Sequence, residues 1–517
     1  MSEKRNLEAK LWEASNALRG AGMSADQYKD YLLGFIFYKY LSEKQEIYAN
    51  KKLAQENKTF SDIADDEQYL KALEDMSKKE LGYFLTPHEL FSHLVKKGKK
   101  EIANTDGFIL EELKAVLTQI ENSAKGTDSE QDFAGLFADI DLTSAKLGKS
   151  EKDKNTVVVD VLSALSQIDF ELDNSNADVL GDAYEYLIKQ FAAGAGKKAG
   201  EFYTPPEISQ LLAKIVAHNK DIIKKVYDPT CGSGSLLLKI GKEARVVEYY
   251  GQEINPTTYN LARMNMILHN IHFSEFDIRQ GDTLKDDQFP DLRAEAIVAN
   301  PPFSLKWKSD SDPTLKDDER FAEYGKLAPK SAADYAFVTH MLYHLAENGA
   351  MAVVLPHGVL FRSGAEATIR KAIIDKNYLD AVIGLPQNLF YGVSIPATIL
   401  VFKKNRQNSD ILFIDASKEF EKGKNQNYLT DENIEKIFQT YTEREEKEKY
   451  SHIATLEEIK ENDYNLNIPR YVDTFEEEEE IDIEAVAKNL QDLQKDEEEI
   501  QEKIGEFCDE LGIDKPF

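Results

Sequence analysis

Between residues 226 and 403 the chain alternates between two incompatible periodicities, and that alternation limits its fold more than any other feature. Short apolar, β-branched runs fall at 226–227, 246–251, 276–279, 294–299, 351–355, 381–385 and 398–403. Segments of helical period separate them, beginning at Leu236 and covering 256–269, 334–345 and 367–374. Successive strands joined through helices imply a parallel sheet covered on both faces. The pattern predicts an α/β fold with a Rossmann-like sheet whose last strand ends near Lys403. In such open sheets ligands bind beyond the carboxyl ends of the strands, where this chain places its polar residues.

The first strand runs into Asp228-Pro229-Thr230-Cys231-Gly232-Ser233-Gly234-Ser235. Gly232 and Gly234 let the backbone approach a ligand closely. No Gly-Lys-Ser/Thr follows, which argues against a nucleoside triphosphate. Glu253 ends the second strand, where an acid is placed to bind a ribose diol. Asp282 follows the third strand and is a candidate acceptor for an adenine amino group. The three acids around one glycine turn describe a pocket for an adenosine-bearing ligand. The fourth strand ends in Asn300-Pro301-Pro302-Phe303. Two prolines remove two backbone donors and leave their carbonyl oxygens free. With an amide before them and a flat aromatic after, the set suits gripping a planar base through its amino group. Cys231 reads as structural, since it sits in the cofactor turn. His269 and His272 lack neighbours to complete a metal set, and no metal is expected.

Outside this core, residues 1–165 read as helical, with Leu7, Leu11, Ala14 and Leu18 in phase and an almost wholly apolar stretch from Tyr31 to Tyr40. Only 156–161 looks β-like. A glycine- and lysine-rich loop at 194–200 precedes Glu201-Phe202-Tyr203-Thr204-Pro205, after which Pro206 opens a helix. Ser304 to Ser331 is a long polar stretch placed to cover a bound base or meet a displaced strand. Near the C-terminus Ile483, Val486, Leu490, Leu493, Ile500, Ile504, Phe507 and Leu511 recur as a two-position seam, interrupted at Glu497. A helix over about 482–511 is expected to dock on a partner helix.

Charge is unevenly distributed. The net charge is −30, yet the last 67 residues carry 6 Lys+Arg against 22 Asp+Glu. More than half the imbalance sits there, and 201–450 is near neutral with 31 against 36. Such a chain grips a polyanion poorly alone, because that affinity rests on Lys and Arg at phosphates. The two cysteines, Cys231 and Cys508, lie far apart, no apolar run is long enough to span a membrane, and no signal-peptide core is present. A cytoplasmic location is expected.

The ordered motifs resemble those of S-adenosylmethionine-dependent amino-methyltransferases in which the cofactor motifs precede the catalytic one. The match continues through Ala333-Asp334-Tyr335-Ala336-Phe337, the segment from Val353 to Phe361, Leu385-Pro386, and Ser394 to Leu400. With Leu11-Trp12-Glu13-Ala14, Leu18-Arg19-Gly20 and residues 29–41, the whole resembles the modification subunits of type I restriction-modification systems. The resemblance implies N6-adenine methylation of double-stranded DNA. It assigns catalysis to Asn300, Pro301, Pro302 and Phe303. It assigns S-adenosyl-L-methionine to Glu201, Phe202, Tyr203, Thr204, Pro205, Asp228, Thr230, Gly232, Ser233, Gly234, Ser235, Glu253 and Asp282. It also implies a separate specificity subunit that reads sequence, a second copy of the modification subunit, and a restriction subunit for cleavage. The expected division is a helical domain at 1–165, a methyltransferase domain at 166–405 and an extension at 406–517. A stand-alone RNA or protein-glutamine methyltransferase, an inactive scaffold, and cytosine N4 as target are the alternatives.

Overall fold

The computed structural model describes residues 2–170, 172, 178–195, 204–424, 426–474, 483–514 and 516–517. Glu201, Phe202 and Tyr203, most of the glycine-rich loop and the acidic run 476–480 lie outside the described residues. The chain forms two units, Met1–Val472 and Asp473–Phe517.

A nine-stranded sheet organises the first unit. Its strands are β1 (Ile222–Asp228), β2 (Arg245–Glu253), β3 (Phe276–Gln280), β4 (Ala294–Ala299), β5 (Leu345–Pro356), β6 (Leu379–Gly384), β7 (Ala397–Lys403), β8 (Ile411–Asp415) and β9 (Ser451–Ala454). They lie in the order β9-β8-β6-β7-β5-β4-β1-β2-β3. β1 pairs in parallel with both β2 and β4. The winding therefore reverses between β1 and β4, opening a crevice at their carboxyl ends. β4, β6 and β7 are buried along almost their whole length, as strands covered on both faces must be.

Two expectations are corrected here. The sheet is mixed rather than parallel, because β7 runs antiparallel to both β5 and β6. Nor does it end near Lys403: β8 pairs in parallel with β6, and β9 closes the edge antiparallel to β8. The 405 boundary thus falls inside the sheet. The seven-residue link from β7 to β8 is too short for a crossover helix, so no helical segment announces β8.

Adjacent side chains along the strands point to opposite faces and feed two cores. Val226, Val298 and Ala352 join one, while Tyr227, Ile297 and Met351 join the other. The first core runs without a break into the helical region through Leu11, Phe35, Leu117 and Val161, so residues 1–165 and the sheet share one interior. Ser24 and Gln27 form a capping box at the start of helix Ala25–Leu53, whose middle is buried all round. The β-like run at 156–161 is helical, within Glu151–Ser166. Val158, Val161, Leu162 and Leu165 form one buried face, and this helical spacing overrides β-propensity. Helix Pro256–Leu268, which follows β2, is held by the helical region. Asp139 accepts from Thr257 Oγ1 at 2.7 Å and from Asn260 Nδ2 at 3.1 Å, and Tyr40 Oη donates to the Ile267 carbonyl at 2.9 Å.

In the second unit, helix Ile483–Leu511 is close to the expected bounds. Val486, Leu490, Leu493, Ile500, Phe507 and Leu511 are each more than 45% exposed, an open apolar seam.

Candidate active site at the switch point

The crevice beyond β1, β2 and β4 holds a cavity of about 320 Å³. Pro229, Thr230, Glu253, Asp282, Asn300 and Pro302 line it, together with Leu305 and Phe337. Residues from four strand ends, separated by some seventy positions in sequence, therefore meet at one place.

The glycine turn makes this possible. Gly232 has φ +55° and Gly234 φ +79°, left-handed values that a side chain would strain. A Cβ on Gly234 would also stand 3.2 Å from Met266 Cε. Helix Ser235–Glu243 begins directly after it. The turn is tied to β2 at both levels. Cys231 N donates to the Gln252 carbonyl at 3.0 Å, and Gly232 N donates to Glu253 Oε2 at 3.0 Å. Asn255 N donates to Glu253 Oε1 at 2.8 Å. Burial raises the Glu253 carboxyl, and these two backbone N–H groups work against that shift. Ser233 and Ser235 hydroxyls contact each other at 3.0 Å, and Asn265 Nδ2 holds the Ser233 carbonyl.

Asp228 is fully buried. Its Oδ1 accepts from Thr230 N at 2.9 Å, while its Oδ2 has no hydrogen-bond partner. Burial pushes its carboxyl up to about 8. The unpartnered Asp228 Oδ2, with the Glu253 carboxyl lining the cavity, fits a ligand rich in hydroxyl and amino groups. S-adenosylmethionine has that donor set. Asp282 is more exposed. It accepts from Leu284 N at 3.2 Å and pairs with Lys285 Nζ at 2.6 Å, which holds it at the rim.

Asn300 Nδ2 donates to Thr204 Oγ1 at 3.1 Å. The contact joins the catalytic candidate to the one hydroxyl of the leading cofactor motif that falls among the described residues. It also fixes the amide, spending its nitrogen on protein and leaving Oδ1 to accept from a ligand. Phe303 is half-buried and meets the buried Phe390 ring at 6.0 Å and 67°, which sets its plane. Cys231 is buried with its thiol pushed far up, unsuited to act as a nucleophile.

Sequence reasoning places Asp334 in a matched segment and Arg320 among the basic residues of the polar stretch without giving either a role, and it passes over Arg362. Asp334, at the start of helix Asp334–His344, accepts from Ser304 N at 2.8 Å and from Arg362 at 3.0 Å. It thereby clamps the residue after Phe303, whose φ is +51°. Arg362 also reaches Ser304 Oγ at 3.3 Å. The conformation of Ser304 leaves no mark in sequence. Arg320, from the polar stretch, is buried and donates to the carbonyl of Thr283 at 2.7 Å, beside Asp282. That stretch is ordered, with short turns at Ser309–Ser311 and Pro313–Lys316 and a helix at Glu319–Ala322. Half-buried Asp287 and the buried His340 and His344 have metal-like spacing, yet every ring nitrogen has a protein partner. Burial drives His340 down, and contacts with the histidines outweigh burial to hold Asp287 low. The trio is a structural network linking Tyr227 of β1 to Arg320. His269 packs against Gly181, where a Cβ would stand 2.6 Å from its ring, and His272 caps a short turn.

Comparison with known proteins agrees with this geometry. A family model described as N-6 DNA Methylase matches residues 175–480, and one described as HsdM N-terminal domain matches residues 7–165. The type I restriction enzyme MpnII methylase subunit of Mycoplasma pneumoniae is 39% identical over 99% of this chain and 98% of its own length. The MjaVIII methylase subunit of Methanocaldococcus jannaschii is 32% identical over 93% of this chain and 81% of its own. The crystal structure of a type I restriction-modification methyltransferase subunit from Streptococcus thermophilus has a TM-score of 0.84 and 44% identity, covering 91% of this chain and 100% of that one. With this architecture, and with such relatives along nearly its full length, the chain belongs to the methylase subunits of type I restriction-modification systems.

Proposed function

We propose that this chain transfers a methyl group from S-adenosylmethionine to the N6 amino group of an adenine rotated out of duplex DNA. The orientation of Asn300 carries the reading: its nitrogen is held by Thr204, and its oxygen is left for a donor beside the cavity. An adenine amino lone pair is delocalised into the ring and attacks poorly. Asn300 Oδ1 and the Pro301 carbonyl each accept one of its two hydrogens, which favours a tetrahedral nitrogen with its lone pair available. Fixed neutral dipoles do this without reorganisation during reaction. Phe303 stacks on the base for roughly 1–3 kcal/mol. That contact offsets part of the few kcal/mol needed to extract a base from a duplex.

S-adenosylmethionine supplies an electrophilic methyl on a sulfonium when bound. Glu253 would accept from its ribose diol, and Asp282 from its adenine amino group. Asp228 and the backbone of the 230–235 turn would hold the remainder, with Glu201, Phe202, Tyr203, Thr204 and Pro205 assigned to the same cofactor by resemblance. Sequence choice is assigned to a separate specificity subunit, in a complex with a second copy of this chain and, for cleavage, a restriction subunit. The open seam of helix Ile483–Leu511 supports helix docking, its acidic outer face remaining solvated.

Methyl transfer from labelled cofactor to duplex DNA, with and without the co-purified specificity subunit, tests the reading. Transfer to RNA or protein by the isolated chain would sink it. Asn300→Ala is expected to abolish turnover and keep cofactor binding; loss of cofactor binding would place Asn300 in the wrong pocket.

A further inference from the structure

We infer that the segment from Ser304 to Lys330 is a preformed cradle for the DNA sugar–phosphate backbone beside the target base. The inference rests on the proposed function for its polyanion and adds where that polyanion lies.

The segment is neutral by composition but not in its free charge. Asp310 pairs with Lys330 at 3.8 Å, Asp318 with Arg320 at 2.7 Å, and Glu323 with Lys376 at 3.1 Å. Asp312 is engaged in capping Thr314, whose N and Oγ1 it accepts at 3.1 and 2.7 Å. Lys306, Lys308, Lys316 and Lys326 are exposed, and none has a carboxylate within ion-pairing distance among the described residues. Local structure thus engages four of the six acids of the segment, Asp317 and Glu319 remaining exposed, and leaves these four lysines outside any ion pair among the described residues. In a chain of net charge −30 this concentration of uncompensated cations stands out.

The cations frame a concave surface. A groove of about 600 Å³ has Phe321, Leu327 and Pro329 in its lining, with Lys316 and Lys326 beside them and the paired Asp310 and Lys330 also in its wall. An apolar floor flanked by ammonium groups matches a nucleotide strand, which presents sugar and base faces between phosphates. The groove is also rigidly mounted. Trp307 donates through its backbone N to the Lys330 carbonyl and through Nε1 to the Pro329 carbonyl, both at 3.1 Å. Its ring meets Phe321 at 5.6 Å. Arg320 fastens the segment to Thr283, and Ser304, which directly follows Phe303, is held by Asp334. Ser309, in the wall of the groove, stands nine residues along the chain from Asn300.

The test uses the chain co-purified with its specificity subunit and a labelled random-sequence duplex, with affinity measured across a salt series. The double variant Lys316→Gln, Lys326→Gln is expected to weaken binding on the order of tenfold at low salt. It should also reduce the slope of log affinity against log salt by roughly 0.9 for each phosphate that is no longer neutralised. Cofactor affinity should not move, and Lys316→Arg, Lys326→Arg should restore the slope. An unchanged slope overturns the inference, as does loss of specificity-subunit association with DNA affinity intact, which would make the surface a protein contact. Binding without methyl transfer in the parent complex would sink the methyltransferase reading alone, and the slope comparison would still decide the cradle. A parent complex that does not bind duplex would overturn both.

Discussion

Asp334→Asn isolates how the catalytic turn is held. Asp334 is 1% exposed and divides its oxygens between two partners, Ser304 N at 2.8 Å and Arg362 Nη1 at 3.0 Å. Asparagine preserves the shape and one acceptor but removes the counterion. A hydrogen bond to a charged group contributes about 1.5–3 kcal/mol against about 1 for a neutral one, so roughly 1 kcal/mol is lost at Ser304. Arg362 is one-third exposed and keeps Glu366 at 3.3 Å, so the ion-pair loss is small after solvent screening. Against this stands the left-handed φ of +51° at Ser304, which costs a non-glycine residue roughly 1–2 kcal/mol and is maintained by that clamp. Loss and strain are of similar size, so the turn is expected to relax in a sizeable fraction of molecules. Asn300 and Phe303 would then leave their productive geometry. Single-turnover methyl transfer should fall roughly tenfold to a hundredfold, as expected for reacting groups displaced by a fraction of an ångström. Cofactor affinity, measured by calorimetry, should stay within about twofold, because Asp334 touches no part of the glycine turn. Unchanged turnover with a lower melting temperature would refute the argument and reduce Asp334 to a helix-start residue. A large loss of cofactor affinity would refute it differently, by placing Asp334 in the cofactor's support.

Other perturbations probe separate parts of the molecule. Asp228, pushed up to about 8 by burial, keeps a proton in the folded chain that the unfolded chain releases near pH 4. Its contribution to stability is therefore highest below pH 4 and falls as pH rises toward 8. Asp228→Asn should flatten the pH dependence of the cofactor-free urea midpoint, and a variant with the parent slope would contradict the assignment. Cys231→Ala should keep turnover within about twofold, since the thiol is buried and held protonated; a collapse of activity at unchanged stability would revive covalent catalysis. Leu490→Glu with Leu493→Glu should abolish co-purification with the specificity subunit while leaving cofactor affinity intact, and retained association would mean that the exposed seam has another use.

The sequence disclosed what repeats and what has a distinctive local chemistry. β1 to β7 were visible because helical stretches or turns separate apolar runs, and Asp228, Glu253, Asp282 and Asn300 were visible because each ends such a run. Thr204 could be assigned to the cofactor motif only by resemblance, and its bond to Asn300 spans 96 positions, beyond the reach of any local pattern. β8 and β9 were missed because both are short: β8 follows β7 after only seven residues, and the four-residue β9 pairs antiparallel at the sheet edge. Antiparallel insertion of β7 was illegible for a related reason, since strand direction depends on the path of the connection rather than on strand composition. The 156–161 run, β-like in itself but followed by residues that suit a helix, resolves to helix because its burial falls at helical spacing. Asp334 and Arg320 look like ordinary surface charges until the fold closes over them.

The shared core changes what the helical region is for. Glu253 meets Asn255 N, and the Asn255 side chain caps helix Pro256–Leu268 by accepting from Thr258 N at 3.1 Å. That helix carries Thr257 and Asn260, both bonded to Asp139, and Arg263, which donates to the Gln131 carbonyl at 2.6 Å. A continuous line of hydrogen bonds thus joins residues 131–139 to the carboxylate expected to bind the ribose. The packing is as intimate as the bonding, because Leu136, Leu237 and Val226 belong to one buried cluster. A domain tethered only for docking would present its own closed core and leave the cofactor crevice indifferent to it. Here the helical region holds helix Pro256–Leu268, whose Thr258 lines the crevice, so a shift of that region is carried through this helix toward Glu253.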